Sequence, residues 1–116
     1  MLQNDIGIMD KIEILEKLKE SKEILEKNFS ITKIGLFGSY ATGQETADSD
    51  IDIFYELAAG KREGIIDAYN IENYFKQLLF GKEVDLVNAK YVNPIIENEI
   101  VNSIIYVFQT ELNLHP

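Results

Sequence analysis

Asp50 and Asp52 stand two positions apart in Asp50-Ile51-Asp52-Ile53-Phe54-Tyr55, where polar and apolar residues alternate as in a β-strand with two unlike faces. Residues i and i+2 of a strand point to the same side. The two carboxylates therefore project together, while Ile51 and Ile53 turn toward a core. Neighbouring carboxylates raise each other's pKa, and Asp is depleted in strands. A divalent cation resolves that conflict, and Mg²⁺ takes one or two carboxylates together with substrate phosphate oxygens and water. Upstream, Gly38-Ser39 sits where an earlier β-rich run stops, separated from Asp50 by ten residues. Gly38 allows close backbone approach to a ligand, N–H groups at a helix start favour anions, and Ser39 adds a hydroxyl donor. Gly38 and Ser39 thus read as a nucleotide-binding phosphate cradle, with Asp50 and Asp52 as metal ligands beside it. That combination suits a nucleoside triphosphate chelated by Mg²⁺.

Asp85 is the third candidate acid. It interrupts the apolar run Val84-Leu86-Val87. If its strand lies next to that of Asp50, it completes a three-carboxylate cluster. Three acids suit a two-metal site, in which one ion holds the phosphates and the other lowers the pKa of an attacking hydroxyl. The plainer readings are a simple turn at Gly38-Ser39, a solvated strand edge at Asp50 and Asp52, and an exposed strand residue at Asp85. By average residue usage, Gly-Ser-x10-Asp-x-Asp arises by chance in roughly 1 in 1,000 chains of this length, which favours the site.

These residues need a scaffold. Apolar spacing predicts a helix from Asp10 to about Asn28, with Ile12, Leu15, Leu18, Leu25 and Phe29 near one face and charged i,i+4 pairs on the other. A strand is expected over Ile31–Phe37, a loop over 41–49, and a strand from Asp50 through Tyr55. A loop at 58–64 leads into an apolar helix at 65–80, for which Gly81 is a natural stop. A third strand surrounds Asp85. Pro94 opens a last helix, and Ile104–Phe108 forms a fourth strand or an extended tail. The expected fold is α/β (α+β): a small mixed sheet of about four strands with helices packed mainly on one face. Residues 1–116 are expected to form a single domain, with 1–9 and 109–116 as loose ends. The apolar surplus of helix 65–80 leaves room for a partner surface or a homo-oligomer contact, and Tyr69, Tyr74 and Phe75 suit core or subunit contact better than base stacking.

Composition narrows the function. The 116 residues contain no Cys, which excludes disulfides, Cys-based zinc sites and thiol nucleophiles, and one His, His115, whose place next to the end makes His-based triads and His-rich metal sites poor candidates. The absence of Cys fits a cytoplasmic location. No apolar run approaches the length of a membrane span, and no secretory signal is expected from the N-terminal sequence. A net charge of −9 argues against a nucleic-acid partner. Arg62 is the only arginine, so a multi-arginine phosphate clamp is excluded. Metal ions, hydroxyls, lysines and backbone N–H groups must handle any phosphate.

GSYATG and SDIDIFYEL, followed by a helix and KEVDLV, resemble the minimal nucleotidyltransferases (MNT domains) of the DNA polymerase β-like superfamily. The resemblance covers about Ile31 to Tyr106, including Asn93–Ile100, which is similar to the family's last helix. It implies the polymerase β-like nucleotidyltransferase fold. It also implies triphosphate binding by Gly38 and Ser39, metal binding by Asp50 and Asp52, and a catalytic third acid at Asp85 assisting the second metal or the attacking hydroxyl. The implied reaction transfers AMP from ATP, with Mg²⁺, to a tyrosine of a partner HEPN-domain toxin encoded nearby, so that the chain acts as an antitoxin. At one position the chain departs from the family's Gly-Ser-x-Ala-Arg-Gly pattern: Thr42 stands in place of Arg. Lys33, Lys61 and Arg62 are candidates to compensate. The alternatives are a non-catalytic antitoxin that neutralises its partner by complex formation, and an enzyme acting on a small-molecule hydroxyl.

Overall fold

The computed structural model describes residues 9–110; the outer parts of the expected loose ends, and His115, lie outside the described residues. Met9 is buried in the core and Gln109 belongs to a strand, so the described parts of both ends are integrated. The chain runs α1 (Lys11–Glu20), α2 (Lys22–Phe29), β1 (Ile31–Phe37), α3 (Gly38–Thr42), β2 (Ile51–Leu57), α4 (Ile65–Leu78), β3 (Val84–Asn88), a 3₁₀ turn (Ala89–Tyr91), α5 (Pro94–Ser103) and β4 (Ile105–Gln109).

The first helical stretch is two helices rather than the expected one. Asp10 caps α1 by accepting the Glu13 N–H at 2.9 Å. At Ser21 the hydroxyl donates to the Lys17 carbonyl at 2.9 Å and the N–H to Leu18 at 3.2 Å, which tightens and breaks the helix. Ile14, Leu18, Ser21 and Leu25 form the buried stripe, whereas Ile12 is 65% exposed. The inward face is thus rotated away from Ile12.

The sheet order is β3-β2-β1-β4. β1 is antiparallel to both β2 and β4, and β2 is parallel to β3. The segment 105–109 is therefore a paired edge strand. Parallel pairing of β2 and β3 needs a long crossover, which α4 supplies. A register shift between Ile31 and Lys33 lets Ile31 share the face of Ile34 and Leu36.

One sheet face carries the large core, where Ile34, Leu36, Ile51 and Ile53 meet Ile14 and Leu18 of α1, Leu25 of α2, and Ile71 and Phe75 of α4. The other carries a smaller cluster of Phe37, Phe54 and Ile100, covered by α5. Three long helices on one face and one on the other agree with the expected layering. Asn93 caps α5 by accepting the Ile96 N–H, with Pro94 in its first turn. α4 stops at Leu78, ahead of Phe80 and Gly81, which both take positive φ. Its surplus apolar residues lie at its start, where Ile65 and Ile66 are 89% and 74% exposed.

Candidate active site

The parallel register of β2 and β3 sets Asp52 directly opposite Asp85. On its other side, Asp52 is opposite Phe37, the residue before the Gly38-Ser39 bend. The two strands and the bend thus meet around the Asp52 carboxylate. β2 begins at Ile51, whose N–H donates to Glu83 at 3.0 Å, so Asp50 lies just ahead of the strand rather than on it, and is exposed. Asp85 is exposed on the open edge strand, and Asp52 is half-buried.

The Asp52 carboxyl is pushed up to about 7. Burial is the largest cause, followed by the charges of Asp85, Glu99 and Asp50 and a hydrogen bond shared with Asp85. Glu99, on α5, is an acid that sequence reasoning missed as a site residue. Its only signal was its place in the segment similar to the family's last helix, and nothing local linked it to Asp52. Among the described residues, no three acidic side chains converge closely enough to hold a metal ion by themselves. The expected three-carboxylate cage is therefore not closed. The donor set instead fits Mg²⁺ bound by one or two carboxylates and completed by substrate phosphate and water.

The bend is a short helix, α3, entered through Gly38 at φ +77°. A Cβ at Gly38 would lie 2.2 Å from Asp52 Oδ2. Any other residue would strain the left-handed backbone and displace that carboxylate. The Gly38 N–H, expected to face phosphate, donates instead to Ser103 Oγ at 2.9 Å. Ser39 is half-exposed, and its hydroxyl has no hydrogen-bond partner among the described residues. Of the two bend residues, Ser39 keeps the uncommitted hydroxyl.

Thr42 turns its hydroxyl back onto the Gly38 and Ser39 carbonyls at 3.4 and 3.3 Å. The expected compensating cations lie elsewhere. Lys33 pairs with Glu56 at 3.5 Å. Lys61 and Arg62 line a groove of about 520 Å³ with Lys90 and Tyr91, beyond the opposite ends of β2 and β3. The lysines that reach the bend and its loop are Lys11, donating to the Ala41 carbonyl, and Lys82, donating to the Ala47 carbonyl, each at 3.4 Å.

A second polar cluster occupies those opposite ends. Tyr55 and Asn88 are register partners. The Tyr55 hydroxyl donates to both Glu63 carboxylate oxygens at 2.9 and 2.8 Å, and Asn88 Nδ2 donates to Glu63 Oε1 at 2.6 Å. Burial, followed by the Glu63 contact, pushes the Tyr55 hydroxyl up. A groove of about 540 Å³ follows the open edge of β3 from this cluster to Asp85. Of the α4 aromatics, Phe75 is buried, Tyr74 lies 5.5 Å from the Phe29 ring, and Tyr69 is 62% exposed.

Acids brought together on neighbouring parallel strands, with a hydroxyl-bearing bend beside them, suit chemistry on the phosphates of a nucleotide; the fold and site define a nucleotidyltransferase. The chain belongs to the nucleotidyltransferase domain family, whose model matches residues 18–107. It is 36% identical over 96 residues to a candidate protein adenylyltransferase of Methanocaldococcus jannaschii, covering 82% of this chain and 95% of that one. It is 32% identical over 95 residues to the protein adenylyltransferase MntA of Thermococcus cleftensis, covering 82% and 93%. Among solved structures, it is similar to a toxin–antitoxin complex with AMP-PNP at TM-score 0.64 and 22% identity, covering 80% of this chain and 74% of that one. It is also similar to a complex of the tri-AMPylated Shewanella oneidensis HEPN toxin with its MNT antitoxin at TM-score 0.57 and 23% identity, covering 82% and 73%. The last two likenesses concern the fold.

Proposed function

We propose that this nucleotidyltransferase transfers AMP from Mg²⁺-bound ATP to a tyrosine hydroxyl of a HEPN-domain toxin encoded nearby, and so acts as an antitoxin. The observation that carries the reading is the pairing of Asp52 with Asp85 across β2 and β3, next to a bend at which glycine leaves room for the Asp52 carboxylate. Relatives that are protein adenylyltransferases, and complexes of the same fold with AMP-PNP and with an AMPylated HEPN toxin, support the choice of nucleotide and partner. The described residues include no helix long and apolar enough to cross a membrane. The reaction belongs in the cytoplasm, where ATP and Mg²⁺ are supplied.

Asp52, with Asp50 and Asp85 beside it, would hold Mg²⁺ together with substrate phosphate and water, and the ion would offset phosphate charge and make the attacking hydroxyl more acidic. Ser39 donates to the triphosphate. The tyrosine oxygen bonds to the α-phosphorus as the bond from that phosphorus to the bridging oxygen breaks, and pyrophosphate leaves. The hydroxyl proton passes to a carboxylate of the site. Asp85 suits that role because, of the three aspartates, it alone lines the β3 groove. The exposed Ile65, Ile66 and Tyr69 at the start of α4 offer the partner an apolar contact.

Intact-mass measurement tests this. The purified chain is incubated with ATP, Mg²⁺ and the HEPN-domain protein encoded beside it. Mass increments of AMP on the partner, lost with Asp50→Ala plus Asp52→Ala, are the expected result. A tight complex with no change in mass would establish the non-catalytic antitoxin instead.

A further inference from the structure

We infer that Ser103 is a positioning residue whose hydroxyl holds the Gly38-Ser39 bend against Asp52. Ser103 ends α5, 65 positions along the chain from the glycine it touches. Its Oγ accepts the Gly38 N–H at 2.9 Å and donates to the Glu99 carbonyl at 2.8 Å. A serine hydroxyl has one donor and two acceptor lone pairs. The bond to Glu99 uses the donor, which orients a lone pair toward Gly38. Glu99 and Ser103 are four apart and share a face of α5, so one face of that helix addresses both parts of the site. The Glu99 charge acts on Asp52, and the Ser103 hydroxyl fixes the residue whose missing Cβ makes room for the Asp52 carboxylate.

The tie matters because glycine at φ +77° is held by no side chain of its own. Without Ser103, a part-buried N–H loses its acceptor, which is costly, and the bend is free to leave the orientation in which Ser39 faces the phosphates. The kinetic consequence rests on the adenylyl-transfer reading; the hydrogen bond itself does not.

Three variants test the inference against the parent: Ser103→Ala removes the hydroxyl, Ser103→Thr retains it, and Asn102→Ala alters the same turn at an exposed side chain. Calorimetry with Mg·ATP and steady-state AMP transfer are measured for each. Ser103→Ala is expected to raise the nucleotide dissociation constant and KM about tenfold with a smaller change in kcat, while the other two stay within twofold of the parent. Ser103→Cys, which fills the space with a weak acceptor, carries the same expectation as Ala and decides the matter if the Ala variant does not fold. A Ser103→Ala protein within twofold of the parent, or a Ser103→Thr protein as impaired as Ala, would overturn the inference. If the parent itself binds no Mg·ATP, the adenylyl-transfer reading fails, and amide hydrogen exchange then decides the tie alone. At least tenfold faster exchange at Gly38 in Ser103→Ala, with the β1 amides unchanged, supports it, and unchanged Gly38 exchange refutes it.

Discussion

Two polar clusters sit on the same pair of parallel strands and meet opposite fates. At one end Asp52 faces Asp85; three residues further along each strand, Tyr55 faces Asn88. Three steps along a strand reverse the side-chain direction, so the pairs lie on opposite faces of the sheet. The Tyr55–Asn88 end is closed, since Glu63 accepts from both partners and its charge is answered within the fold. The Asp52–Asp85 end is open, because the charges of Asp50, Asp85 and Glu99 act on Asp52 with no salt bridge to any of these acids among the described residues, and Asp52 is left with its pKa at about 7. Buried polar groups that satisfy one another specify a structure. Those left in mutual conflict mark a place where a ligand is to be accommodated.

The sharpest way to break this contrast is to substitute one residue in each cluster. Asp52→Asn should lower AMP transfer by about 10³-fold or more, since it removes a group required only for chemistry. The same change should raise the melting temperature of the metal-free protein at neutral pH, because it relieves a conflict among acids. A variant that lost activity and also melted lower would mean that Asp52 is structural. Gly38→Ala should cost about 2 kcal/mol or more of stability and remove nucleotide binding, read by chemical melting and calorimetry. Its Cβ would strain the left-handed backbone and displace the Asp52 carboxylate.

At the closed end, Tyr55→Phe should destabilise by about 1–2 kcal/mol yet leave transfer within twofold of the parent. Loss of activity with unchanged stability would blur the distinction between the ends. The smallest effect is the pH dependence of the metal-free protein. Asp52 has its folded pKa raised from 3.8 to about 7, so between those values the native state holds more protons than the unfolded chain. Stability from this group is therefore present below pH 3.8 and lost as pH rises through 7, by about 1 kcal/mol after discounting for partial exposure. Melting curves should fall by a few degrees from pH 5 to pH 8. Mg²⁺ should recover the loss at pH 8, and an Asp52→Asn protein should lack this component.

Local patterning made much of the scaffold legible. Alternation around Ile51 and Ile53 identified β2, the asparagine–proline pair at 93 and 94 identified the start of α5, and the glycine at 81 marked the end of α4. The Ser21 break escaped because the hydroxyl bond to Lys17 forms within a segment whose helical periodicity continues through it. Site legibility followed the same division. Asp50, Asp52, Gly38 and Ser39 fall in one short motif, so the roles proposed for them could be read from spacing. Asp85 rested on a guess about strand order. Glu99 and Ser103 gave no local sign, because what matters about them is a contact with residues far away in the chain.

The amino-acid order by itself determined which groups are available: aspartates two positions apart, a glycine where the backbone must bend, and no Cys to compete with them. It did so because side-chain type and the two-residue period of a strand are properties of neighbouring positions. Only the tertiary structure decided that β3 lies parallel to β2, that Glu99 adds its charge to Asp52, and that the Gly38 N–H donates to Ser103. Those outcomes depend on how the sheet and α5 close over one another, and burial and long-range hydrogen bonding exist only once they have done so.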